Sequence, residues 1–125
     1  MILIVDMNYK KDSLGFYEFA LPIASAIKKF DGCEIKHYSE IDAKDMKNYD
    51  RVILSGATLK NMEFSKDLGE FEWVKSFNKP ILGICAGMTV HMLMDLFGNR
   101  NSRPFMYFLT FRILHRFNAK NLTWD

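Results

Sequence analysis

The chain has 125 residues, 49% of them hydrophobic and 26% charged, with a formal net charge of +2. That is enough chain for one compact domain and too little for two. The charge is too small to mark a nucleic-acid partner, two cysteines are too few for a disulfide scaffold, and no apolar stretch reaches the roughly 18 residues of a membrane span.

The opening "MILIVDMN" has no basic region, and its apolar run is too short for a signal peptide. A cytoplasmic protein is expected, with no membrane, nucleic acid, metal or cofactor. Residues 2–6, "ILIVD", form a continuous β-branched run and predict a strand buried on both faces, as in parallel sheets. Residues 13–30 place Phe16, Phe19, Ala20, Ile23, Ile27 and Phe30 at helical spacing. Pro22 inside that run predicts a kink, or a helix whose first turn begins there. Asp31-Gly32 is a turn. The alternation of 33–39 predicts a more exposed strand, to which His37 belongs without a chemical role. Residues 40–50 are polar, with room for a short helix.

"RVILSG" at 51–56 predicts a second buried strand ending in glycine. Residues 57–69 read as loop and 70–77 as a short amphipathic helix. After Lys79-Pro80, "ILGIC" at 81–85 predicts a third buried strand. Residues 88–97 read as a helix closed by Gly98, with Met88, Met92 and Met94 as core packing. A loop covers 99–104, and 105–117 are apolar without a clear period. Buried strands alternating with helices predict a parallel α/β sheet. Ligands then sit beyond the carboxyl ends of the strands, an edge that would carry Asp6, Gly56 and Cys85.

The second and last cysteine stands in "KPILGICAGM", residues 79–88, with Gly83 and Gly87 two residues to either side. G-x-C-x-G between a buried strand and a helix is the cysteine form of a nucleophile elbow. A sharp turn lifts the nucleophile above the sheet edge, and the crowding at that turn requires glycines beside it. The positive end of the following helix favours a thiolate so placed. The amide of the next residue, Ala86, is free to donate to an oxyanion.

"PILGICAGM" resembles the nucleophile segment of class I glutamine amidotransferase domains. "YDRVILSGAT" (49–58) resembles their oxyanion strand and turn, and "MILIVDMN" their opening strand. The likeness runs over about residues 1–88. It implies a three-layer α/β sandwich with a central, mostly parallel sheet (flavodoxin-like), here incomplete at its C-terminal end. It implies glutamine as substrate, Cys85 as the nucleophile that forms a glutamyl thioester and releases ammonia, and the Gly56 and Ala86 amides as oxyanion hole. It also implies a synthetase partner; a homo-oligomer is the other association considered.

Three features depart from the family pattern. S-G-G-P is replaced by "SGAT" (55–58). Thr89 stands where a substrate-holding glutamine is common. No H-x-E follows Cys85: the later histidines are His91 and His115, and the last glutamate is Glu72. Histidine would take the thiol proton and return it to the leaving ammonia, so impaired activity is expected. Two alternatives remain: a non-catalytic interaction subunit of the same fold, or another cysteine-elbow hydrolase with Asp6 as its carboxylate.

The charge divides the chain in two. Residues 1–97 carry net −2 and residues 98–125 net +4. The first part is assigned to the amidotransferase-like domain, the second to a divergent tail. A truncated or divergent relative would explain the break, and so would a downstream sequence read in another frame.

Overall fold

The computed structural model describes residues 1–97. The loop at 99–104, the apolar segment 105–117, His115 and the basic tail lie outside the described residues. Four strands form one sheet: β1 (Ile2–Asp6), β2 (Cys33–His37), β3 (Arg51–Leu54) and β4 (Ile81–Gly83). Their order is β2-β1-β3-β4, and every pairing is parallel. The three continuous apolar runs therefore pair as expected, with the alternating strand at an edge.

Strand alternation sends side chains to two separate clusters. Leu3, Val5, Val52, Leu54 and Ile81 pack with Ala86, Val90 and Met94. Ile4, Ile53 and Ile35 pack with Ala20, Ala24, Ile23 and Ile27. The chain is thus an α/β protein built on a four-stranded parallel sheet. β1 is buried at every position because it has a strand on each side and a cluster on each face. On the edge strand β2, Glu34 and Lys36 meet solvent, and Tyr49 donates to Glu34 at 2.6 Å.

Pro22 acts as its chemistry requires. It has no N–H, and its ring crowds the carbonyl four residues back. The chain answers with a π-helical turn at Phe16–Ala20, where the Leu21 N–H reaches back to the Phe16 carbonyl. The α-helix proper, α1, spans Leu21–Ile27 with Pro22 in its first turn. Because α1 stops at Ile27, Phe30 leaves the helical face on which its spacing had placed it and is 89% exposed.

Between β2 and β3 the chain makes 3-10 turns at Tyr38–Glu40 and Ala43–Asn48. The stretch read as loop also winds in 3-10 turns, over Leu59–Phe71. The helix after it, α2, shrinks to Trp73–Ser76. A 3-10 turn closes each bond three residues back and needs no long apolar stripe, so it leaves little trace in hydrophobic spacing. α3 covers Ala86–Phe97. No helix among the described residues is long and apolar enough to cross a membrane.

Tyr38 joins the 3-10 turns to the core. Its ring lies 4.4 Å from His37 and 5.1 Å from Phe71, and its hydroxyl donates to Asp67 at 2.7 Å. Burial first, then the Asp67 carboxylate, pushes the phenol above its ordinary value near 10. Tyr49 is raised for the same first reason. Above pH 10 the unfolded chain gives up these protons before the folded one does, so stability falls as pH rises. Urea denaturation should therefore show a plateau below pH 10 and a decline above it. Tyr38→Phe should cost about 1 kcal/mol on the plateau, the usual worth of a hydrogen bond. Its decline should be shallower, so that the two curves converge.

Candidate active site

The site is the turn from β4 into α3. Cys85 is exposed there, and its backbone is left-handed, with φ 51°. Among the described residues only Asp12 shares that state without being glycine. Left-handed backbone costs an L-residue about 1–2 kcal/mol, so surrounding contacts must hold it.

Two close approaches supply those contacts. A side chain on Gly87 would place its Cβ 2.3 Å from the Leu54 oxygen and 2.4 Å from the Leu54 Cβ. One on Gly83 would lie 2.6 Å from the Met88 Cα and 2.8 Å from the Gly87 oxygen. The first turn of α3 thus rests on the end of β3 and on the end of its own strand. Hydrogen bonds fasten it: Ile84 N–H donates to Leu54 (2.9 Å), and Gly87 N–H to Ser55 (3.1 Å) and Ile84 (2.9 Å). Thr89 closes the first helical turn, its N–H donating to the Cys85 carbonyl at 3.2 Å and its hydroxyl to the same oxygen at 3.5 Å.

The turn after β3 lies beside this elbow, since Leu54 is in register with Gly83. The Ser55 carbonyl faces the Gly87 N–H. A trans peptide holds its C=O and N–H on opposite sides, so the Gly56 N–H points away from the elbow glycine. A Cβ on Gly56 would meet the Phe19 ring at 2.7 Å, on the α1 side. Ala57 instead joins Ala86 and Val90 in the cluster beneath α3. Neither the Ala57 nor the Ala86 N–H has a protein acceptor among the described residues.

Asp6 is buried at the end of β1, and its Oδ1 accepts from the Asn8 N–H (3.1 Å) and the Asn8 side-chain amide (2.7 Å). It stands two strands from β4, about 9–10 Å at ordinary strand spacing. By alternation it also faces the Ile4 side, away from α3. His91 is buried and lies about 9 Å along α3 from Cys85 at helical rise. His37 is engaged elsewhere. Its Nδ1 accepts from the Ser39 N–H (3.3 Å), so Nε2 carries the proton and donates to the Asn8 carbonyl at 2.6 Å.

Spacing alone pointed to Cys85, Gly83, Gly87 and Ala86. It gave no sign of the bonds that Ser55 and Asn8 make at the same sheet edge, whose only signal was a run of small or turn-forming residues after a strand. The two cysteines do not pair: Cys33 opens β2 at the opposite end of the sheet, and both thiols are free. Among the described residues no group of three or more His, Cys, Asp or Glu is placed to hold a metal. The chain matches no protein-family model, no curated protein and no solved structure.

Crowding at Gly87 yields a direct test. Gly87→Ala should lose about 1–3 kcal/mol or more in urea denaturation, the range for forced overpacking. Gly32→Ala, where an added Cβ meets nothing within 4 Å, should stay within about 0.5 kcal/mol of the parent. At Cys85 the usual order of alanine over glycine should reverse. Cys85→Gly should be more stable than Cys85→Ala by about 1 kcal/mol, because only glycine escapes the left-handed penalty.

Proposed function

We propose that this chain is a class I glutamine amidotransferase-like domain with a poised nucleophile and an incomplete catalytic set. The strand order β2-β1-β3-β4 is the first four strands of the flavodoxin-like order 2-1-3-4-5, and two clusters on two sheet faces suit a three-layer sandwich. The observation that carries the reading is Cys85 at φ 51° between two glycines that tolerate no side chain.

In this reading the Cys85 sulfur attacks the side-chain carbonyl carbon of glutamine. The C–S bond forms, and the carbonyl electrons move to oxygen. The Ala86 N–H meets that oxygen. For the second donor we take the Ala57 N–H in place of Gly56, because the 55–56 peptide presents its carbonyl to the elbow. Collapse of the adduct expels ammonia and leaves a glutamyl thioester. Ammonia must leave protonated, and neither His37 nor His91 stands ready to supply that proton. Positioned proton transfer contributes about 10²–10⁴-fold, so slow turnover follows. A synthetase partner would receive the ammonia.

Two measurements test this reading. A chloroketone analogue of glutamine should label Cys85 alone, and excess glutamine should slow the labelling. Labelling of Cys33, or no protection by glutamine, would remove glutamine as the substrate. Ammonia release from glutamine should stay near that of a Cys85→Ala control. Cys85-dependent turnover on the order of 1 s⁻¹, an ordinary enzyme rate, would show that a general acid–base is present after all.

A further inference from the structure

Ser55 is fully buried and lies one residue past the end of β3. The β1–β3 register continues to it: Val5 pairs with Leu54, and the Ser55 N–H donates to the Val5 carbonyl at 3.0 Å. In a regular parallel ladder the Ser55 carbonyl would then accept from the Met7 N–H. It does not. The Met7 N–H donates to the Ser55 hydroxyl oxygen at 3.2 Å, and the carbonyl turns to the Gly87 N–H of the elbow. The same hydroxyl donates to the Gly56 carbonyl at 2.8 Å. That bond fixes the 56–57 peptide, and with it the side of the chain on which the Ala57 N–H lies.

We infer that Ser55 is a positioning residue for the Cys85 site: its hydroxyl replaces its own carbonyl in the β1–β3 ladder, freeing that carbonyl for the elbow and setting the direction of the Ala57 N–H. The inference rests on reading Cys85 as an acyl-accepting nucleophile. Without the hydroxyl, the carbonyl of residue 55 is the remaining acceptor for the Met7 N–H. The ladder then closes normally, the bond to Gly87 is lost, and the 56–57 peptide is no longer held. The β1–β3 ladder keeps its hydrogen bond while the oxyanion donors lose their arrangement.

The test compares two reactions of one thiol. Acylation by the γ-(4-nitrophenyl) ester of glutamic acid passes through an oxyanion: the C–S bond forms, the carbonyl electrons move to oxygen, and collapse breaks the C–O bond to release nitrophenolate. That leaving group needs no acid. Alkylation by iodoacetamide displaces iodide directly and forms no oxyanion. Ser55→Ala should slow acylation on the order of 10²-fold, the cost of losing one oxyanion donor, and leave alkylation of Cys85 unchanged. Ser55→Thr, which keeps the hydroxyl, should restore acylation. If both reactions slow together, the hydroxyl merely maintains the elbow and the inference is wrong. If acylation is unchanged in Ser55→Ala, it is wrong as well. If the parent chain is acylated no faster than N-acetylcysteine, the nucleophile reading itself fails and the role of Ser55 falls with it.

Discussion

The contact on which the site depends is the seat of Gly87 on Leu54. Backbone meets backbone there with no room for a side chain. This pins the first turn of α3 to the end of β3, while Gly83 pins the same turn to β4. Between the two glycines only Ile84, Cys85 and Ala86 remain to turn a strand into a helix. The backbone must reverse within that span, and the reversal falls on Cys85 as a positive φ. The exposed sulfur is thus a consequence of packing beneath it. Strain at the cysteine is held by two close approaches and by the hydrogen bonds of Ile84 and Gly87.

The rest of the carboxyl edge is tied with equal economy. Asn8 uses nearly all its polar groups: its N–H and side-chain amide go to Asp6, its side-chain oxygen accepts from Thr58 at 3.1 Å, and its carbonyl accepts from His37. One residue therefore links the ends of β1 and β2 with the turn after β3. Ser55 makes the corresponding link between β1, its own turn and α3. Strand ends are where a parallel ladder runs out of partners. Here side chains take over as acceptors, which leaves the backbone of the turn after β3 free to depart from strand geometry.

Under the proposed reading, this construction separates two kinds of catalytic part. The posture of Cys85 and the direction of the amides around it belong to the backbone, and they stand as long as β3, β4 and α3 pack as they do. The general acid–base belongs to a side chain that the fold does not require. Among the described residues each histidine has other engagements: His37 holds Asn8 and Ser39, and His91 is buried in α3. Under the proposed reading the backbone of an acyl-transfer site is in place, while neither His37 nor His91 stands at Cys85 to move a proton.

The parallel sheet was legible in the apolar pattern. Residues 2–5, 52–54 and 81–82 are apolar at successive positions, as suits strands covered on both faces; β1 is buried throughout, and β3 and β4 only in part. The spacing of Gly83, Cys85 and Gly87 between a strand and a helix also marked the elbow, although its seat on Leu54 did not show there. The 3-10 turns of Leu59–Phe71 were not legible, since their bonds need no apolar period. Nor was the exposure of Phe30, which depends on where α1 stops. The bonds of Ser55 and Asn8 follow from the packed chain alone. Each depends on a partner about 30 to 50 residues away in the chain, and a peptide's direction follows from which distant group its carbonyl meets. Spacing along a strand says which residues reach the edge of a sheet; only the packed neighbours decide which way each peptide turns there.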